Sequence, residues 1–337
     1  MGQSLAPGYG LIITNGDAAG ELLRKAIPNT EIMPWRDVLH DGPVPLTRDD
    51  EELAEIRGDF LADKGWVDRD ELRENFRARN RGLAHHETFN RVVLWFEHDL
   101  YDQLQLIQIL AWFAANPRKE NALLLLQADD FLGTQKVEAL ASMQGSESPV
   151  TEDQFDLATR GWDAFRQPTP EAWAGLLDGE LAALPYLKAA VRRMLEELPD
   201  TKSGLARTQR AILQQIAEGV VRPGDLFGAV QKTEEAAFMG DWSFWDRLDG
   251  LAAGDAPLIE GLDAGPFCPA GDEREFKAYL ACELSLSALG RAVLAGDDDY
   301  LKHHSINYWV GGTHLTSENA WRWDVEKGQL VAPKAHA

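Results

Sequence analysis

No apolar run in this chain approaches the ~20 residues that a membrane helix needs; stretches such as Ala122-Leu-Leu-Leu-Leu-Gln-Ala128 are of strand length. Cysteine is scarce. Cys268 and Cys282 are the two present, too few for a disulfide framework and in keeping with a reducing compartment. The opening MGQSLAPGYG lacks a basic end followed by an apolar run, so no secretory leader is expected and the cytoplasm is the expected compartment. Positive charge is in deficit, with 33 Lys and Arg against 55 Asp and Glu and a net charge of −22. Such a surface repels nucleic-acid phosphates and anionic membranes unless a basic patch intervenes. Also missing are a G-x-S-x-G elbow, an H-E-x-x-H helix, a Walker loop and a G-x-G-x-x-G fingerprint, and with them the usual signatures of four enzyme classes. Cys268, Cys282, His303 and His304 lack the C-x-x-C spacing of a zinc site.

What is there reads as a globular α/β protein. Hydrophobic residues make up 45% and charged ones 26%, and 337 residues suffice for two or three domains. Most of the 11 Trp are expected in the core. Four apolar runs punctuate the first third: Leu11–Thr14, Glu31–Met33, Arg91–Glu97 and Leu123–Ala128. Each leads into polar residues, and helical patterns lie between the runs, the order of a Rossmann-like parallel sheet covered on both faces. That domain is expected over residues 1–145. An insert at about 47–90 reads as two charged amphipathic helices and is placed as a lid beside the strand ends. Residues 146–202 read as a helical connector. Residues 203–300 give three helices and then a strand pair, the order of a winged helix. Residues 301–337 form a β tail, in which Tyr308–Gly312 and Trp321–Trp323 are expected to pair.

In an open parallel sheet, ligands sit beyond the carboxyl ends of the strands. The residues delivered there are Asn15, Gly16 and Asp17; Trp35, Arg36 and Asp37; Glu97, His98 and Asp99; and Asp129 and Asp130. Carboxylates held together repel one another unless a proton or a divalent cation neutralises them. Asp17, Asp37, Asp99 and Asp102 are therefore candidate metal ligands, with Mg²⁺ or Mn²⁺ the expected ion. His98, His40 and Glu97 are the candidate catalytic groups. Asn15, Gly16, Asp17, Trp35, Arg36, Gln103 and Arg77 are the candidate ligand contacts, for a small anion or a nucleotide. Duller roles compete with each. Asp17 and Asp99 stand where helix caps stand, Asp102 suits the third position of a capping box, and Asp129 and Asp130 suit a turn. Arg73, Arg77 and Arg81 make one helical stripe, for which ion pairing on a solvated face is the favoured reading.

Three stretches carry a resemblance: Thr14-Asn-Gly-Asp17, Trp35-Arg-Asp-Val-Leu-His-Asp-Gly-Pro43 and Leu94-Trp-Phe-Glu-His-Asp-Leu-Tyr-Asp-Gln103. Over roughly the first 130 residues the chain resembles the bacterial domain-of-unknown-function family numbered 1835. The resemblance groups Asn15, Gly16, Asp17, Trp35, Arg36, Asp37, Glu97, His98, Asp99, Asp102 and Gln103 as a set. It supplies no reaction.

A winged helix suggests DNA, but its charge argues otherwise. From Ser203 to Tyr300 there are 8 basic and 17 acidic residues, and the helix in recognition position sets Asp241, Asp246 and Asp249 around Arg247. Trp242 and Trp245 suit burial against another domain or subunit. The leading expectation is a metal-assisted hydrolase of a nucleotide or other phosphorylated ligand. The alternatives are a ligand-sensing regulator that signals to a protein partner, or associates with itself, through the winged helix, and a DNA-binding regulator disfavoured by charge.

Overall fold

The computed structural model describes residues 10–116 and 123–333; the amino-terminal residues read above for a leader lie outside that range. The four runs become strands β1 (Leu11–Asn15), β2 (Glu31–Trp35), β3 (Val92–Phe96) and β4 (Leu123–Gln127). Between and after them come α1 (Asp17–Ala26), α2 (Asp50–Asp63), α3 (Arg69–Ala84), α4 (Leu100–Ala115) and α5 (Val137–Met143). A short β5 (Ser148–Pro149) completes a five-stranded sheet of order β2-β1-β3-β4-β5, parallel except for β5. β2 extends through Pro34 to Trp35, further than the apolar run suggested. It is an edge strand, where a missing N–H is tolerated.

Both faces of the sheet are covered, and the residues alternate accordingly. Ile12, Val93 and Trp95 pack with Leu23 of α1 and Leu140 of α5. Leu11, Ile13, Leu94 and Phe96 point to the opposite face and pack with Leu104 and Ile107 of α4. The chain runs outward from β1 to β2, then returns past β1 to β3. The strand order thus reverses between β1 and β3, the place where open α/β sheets leave a crevice.

The insert is α2 and α3, joined by Ala54, Leu61, Leu72 and Phe76. It is pinned to the loop after β2. The buried Arg57 guanidinium donates to Asp37 Oδ1 (2.9 and 3.1 Å) and to the Val38 carbonyl (2.8 Å), and bonds the Asp41 carbonyl as well. The expected lid is therefore anchored by buried bonds and forms a wall. The arginine stripe ties helices together: Arg73 pairs with Asp59 (2.9 Å) and Arg77 with Glu51 (2.8 Å) across the two helices, and Arg81 with Glu74 (2.6 Å).

The connector supplies α6 (Glu152–Phe165), α7 (Glu171–Gly175) and α8 (Leu187–Leu195), with α6 and α8 packed on α4. Next come α9 (Arg207–Ala217), α10 (Pro223–Gln231) and α11 (Asp241–Ala252). Strands β6 (Ile259–Glu260) and β7 (Ser285–Leu286) pair antiparallel, with α12 (Glu273–Leu280) between them in sequence and α13 (Ala288–Ala295) after. Each strand is two residues long, far less than a full wing. In the tail the two segments expected to pair do not meet. β8 (Asn307–Val310) pairs with β9 (Thr313–Thr316), and β10 (Arg322–Asp324) with β11 (Gln329–Val331). Gly311 makes the first turn at φ +59°, where a Cβ would lie 2.2 Å from the Phe165 carbonyl oxygen. That hairpin docks on the end of α6 and on the loop after β2, with Val44 N–H donating to the Gly311 carbonyl (2.8 Å).

One hydrophobic cluster runs from Leu11 to Trp323, across every boundary expected from sequence. Cys268 and Cys282 are both free thiols. Among the described residues, no helix is long and apolar enough to cross a membrane.

Candidate functional site

The carboxyl ends of β1 and β3 bring together Asn15, Glu97, Asp99 and Asp102. Asp99 caps α4, its Oδ1 accepting from the Asp102 N–H (3.0 Å). A capping box would return the Asp102 carboxylate to the Asp99 N–H. Instead it reaches further back, Oδ1 accepting from the Glu97 N–H (2.6 Å) and Oδ2 from Asn15 Nδ2 (2.6 Å). Glu97 Oε1 accepts from the Leu132 N–H (2.7 Å). All three carboxyls are buried, and one oxygen from each lies within 4.8 Å of the others.

Burial and proximity raise the pKa of all three carboxyls. Burial pushes the Asp99 carboxyl up to about 7, and the neighbouring Glu97 adds to this. Burial, then Asp99 and Glu97, raise Asp102 well above the ordinary carboxylate range. Glu97 is also raised, chiefly by burial. Three such groups either share protons near neutrality or take a cation among them.

Not every expected acid joins them. Asp17 is the first residue of α1, with Gly16 in the cap position at φ +31°, so it caps nothing. Its carboxylate is held by Arg36 through Nε (2.8 and 3.0 Å) and Nη2 (2.6 Å), and that guanidinium lowers its pKa. Asp37 lies buried between Arg57 and Arg79, the latter 3.6 Å away. Two guanidiniums already compensate that carboxylate, so neither Asp17 nor Asp37 belongs to the metal set. Asp130 finishes a turn, accepting from the Phe131 N–H (2.8 Å).

The other candidates also sort by partner. Trp35 is core: its Nε1 donates to Gln108 (2.9 Å), and Arg79 lies 4.2 Å over its ring. Gln103 is fully buried and donates to the Glu97 carbonyl (2.7 Å), so it fixes the loop and is not free to meet a ligand. Arg77 is spent on Glu51 at the surface. His98 packs against Phe131 (5.2 Å) and Tyr186 (5.8 Å) and is not among the residues lining the cavity over the triad.

His40 does line it. A cavity of about 420 Å³ opens above the triad, bounded also by Tyr101, Phe131, Phe238 and Trp242. A second, of about 560 Å³, adjoins it and shares Val38, Trp66, Tyr101 and Trp242. Gly16, Asp17 and Arg36 line its far side. The imidazole of His40 is buried, and burial lowers its pKa to about 4, so it is neutral at pH 7.

Sequence reasoning missed the opposite wall, which is the start of α11 and the segment before it. Arg247 of α11 pairs with the buried Asp41, Asp246 with Lys64 (2.6 Å), and Trp242 lies 6.1 Å from Trp66 of the insert. The Trp pair on α11 therefore splits. Trp242 faces the cleft, whereas Trp245 is buried among Phe244, Phe227 and Tyr279. The sequence hints were the single arginine among the aspartates of that helix and its Trp pair, read for burial against another domain.

No protein-family model matches the chain, and no curated protein matches it.

Proposed function

We propose that the cleft over β1 and β3 binds a small phosphorylated ligand together with a divalent cation, Mg²⁺ or Mn²⁺, and hydrolyses it. The observation that carries this is the buried triad Glu97, Asp99 and Asp102 at the strand-order reversal, opening onto a cavity of small-molecule size. The cation would neutralise the three carboxylates and the ligand phosphate together. The attacking water would lose its proton to one of the carboxylates as its oxygen bonds to phosphorus and the bond to the leaving oxygen breaks. Arg36, half exposed and paired with Asp17, is the arginine that lines the adjoining cavity and could meet an anionic group there.

The test is Mn²⁺ binding, read by loss of the free-ion electron paramagnetic resonance signal, alongside phosphate release from a nucleotide and sugar-phosphate panel. Glu97→Gln and Asp99→Asn should each weaken Mn²⁺ by about tenfold or more and abolish release. Equal Mn²⁺ uptake by the parent and both variants would remove the cation from this site.

A second reading has its own support. The cavity's far wall is the start of α11, so occupancy bears directly on residues 203–300. We place these as a winged-helix-like unit, within the division 1–145, 146–202, 203–300 and 301–337, with the first unit Rossmann-like and akin to family 1835. The unit then covers the site and passes its state to a protein partner or a second copy. Its recognition-position helix is engaged with the α/β unit through Arg247, Asp246 and Trp242, which, with the acidic balance, argues against duplex DNA. Two free thiols suit the cytoplasm.

A further inference from the structure

The cavity over the triad is walled by aromatic side chains, Tyr101, Phe131, Phe238, Trp66 and Trp242, and His40 on that wall has no hydrogen-bond partner. His40 is 4% exposed, and neither ring nitrogen makes a hydrogen bond. Its ring stands edge to face with Phe238 (5.0 Å, 86°) and Tyr101 (5.9 Å, 65°). The nearest carboxylate oxygen, Asp41 Oδ2, is 4.0 Å from Nε2, beyond hydrogen-bonding reach. Buried polar atoms are almost always paired, and leaving one unpaired costs about 1–3 kcal/mol.

We propose that this aromatic wall holds a heteroaromatic ring, read by His40 and stacked on the Trp66 and Trp242 side, so that the ligand is a nucleoside or nucleotide and not a simple phosphoester. A neutral imidazole offers one donor and one acceptor on opposite nitrogens. A purine or pyrimidine edge carries both donors and acceptors, so it can pair with one imidazole nitrogen in either tautomer, and its faces stack on aromatic walls. A phosphate presents acceptors alone, and the carboxylates below repel it where no cation stands between. The two ends of the cavity therefore sort the two ends of a nucleotide: base at His40, phosphate towards the triad. The volume of about 420 Å³ lies within the usual ~300–1,000 Å³ of ligand pockets.

The phosphate end of this assignment rests on the hydrolase reading, but the base end does not. Calorimetric titration of the full chain with adenosine, guanosine, cytidine and uridine, and separately with ribose 5-phosphate, each with and without Mg²⁺, separates the two. At least one nucleoside should bind without Mg²⁺, whereas ribose 5-phosphate should need the cation. His40→Leu should weaken the nucleoside about tenfold, equivalent to one hydrogen bond, with His40→Gln restoring part of the loss and Mn²⁺ affinity unchanged. Should His40→Leu fail to fold, Trp242→Ala at a half-buried position should give a comparable loss. If no nucleoside binds, or one binds equally to the parent and to every folded variant, the ring pocket is wrong. Ribose 5-phosphate with Mg²⁺ can still bind in that case, and the cation site survives. Nucleoside binding with no cation uptake has the opposite meaning: the pocket stands and the hydrolase reading falls.

Discussion

Asp99→Asn should make the metal-free protein more stable, by an amount that grows with pH. Asparagine caps a helix as well as aspartate does, so the bond from the Asp102 N–H survives the change. What disappears is the ionisation of a carboxyl whose folded pKa is about 7 against an ordinary 3.8. A carboxyl raised on folding contributes stability that is fully present below the unfolded value and is lost as pH rises through the folded one. Over a window from about 4 to 7, at ~1.36 kcal/mol per pH unit, the loss is on the order of 4 kcal/mol. The parent and Asp99→Asn should therefore have equal stability near pH 4 and diverge to roughly that difference by pH 8. Urea denaturation of both at half-unit pH steps, in the presence of a chelator, measures it. Subtracting the two curves cancels the titrating groups outside the triad to first order, while Glu97 and Asp102 shift with Asp99 and belong to the difference. Added Mn²⁺ should close the gap at pH 8 by stabilising the parent alone. Parallel curves across the whole range would show that the three carboxyls are not crowded in solution, and the proposed chemistry would lose its basis.

Three further outcomes follow from the same geometry. His40 is a base whose folded pKa is lowered to about 4 by burial, with Arg247 and Arg57 opposing Asp41 and Glu197 around it; stability should therefore fall as pH drops from about 6.5 towards 4. Proton NMR of the His40 ring should place its midpoint there, and a midpoint near 6.5 would mean the ring is solvated. Arg57→Met leaves the buried Asp37 carboxylate with Arg79 alone, 3.6 Å away, strands the carbonyls of Val38 and Asp41, and should cost about 3 kcal/mol in urea denaturation. By contrast, Asp17→Asn breaks a pair whose side chains are 57% and 50% exposed, and should cost less than about 1 kcal/mol by the same measurement.

The strands were legible because each is a short apolar run closed by polar residues, and a parallel sheet buried on both faces needs little else. Glu97, Asp99 and Asp102 sit within one strand end and one helical turn, so local chemistry alone gathers them, whereas the sequence reading groups Asp99 and Asp102 with Asp17 and Asp37 as metal ligands and sets Glu97 apart as a catalytic group. Asp17 and Asp37 look identical to them in sequence. What separates the two groups is a cation, and sequence does not say which cation stands opposite. Arg36 comes 19 residues after Asp17 and Arg57 comes 20 after Asp37, within reach of a guess, but Arg247 lies 206 residues from Asp41. The tail shows the same limit. Tyr308–Gly312 and Trp321–Trp323 both have strand composition, yet the diglycine after Val310 turns the first back on Thr313–Thr316 before it can meet the second.

Helix α4 explains why crowded acids do not simply spread apart. Its buried polar side chains hold the loops on either side of the site. Gln105 donates to the Asp37 carbonyl (2.8 Å) after β2, and Gln103 to the Glu97 carbonyl (2.7 Å) after β3. Asp102 holds the Glu97 N–H and the Asn15 amide, Asp99 holds the Asp102 N–H, and Glu97 holds the Leu132 N–H. These are six hydrogen bonds, worth roughly 1 kcal/mol each and more where the acceptor is charged. Against them stands the cost of ionising Asp99 where burial and Glu97 oppose it, on the order of 4 kcal/mol at high pH, and Asp102 and Glu97 are raised as well. The bonds therefore hold the carboxyls together most firmly while the triad keeps its protons or a cation stands among them. Asp102→Leu removes two of those bonds, from the Glu97 N–H and the Asn15 amide, together with one of the crowded carboxyls, so it relieves the crowding while it unties the loop after β3 from β1.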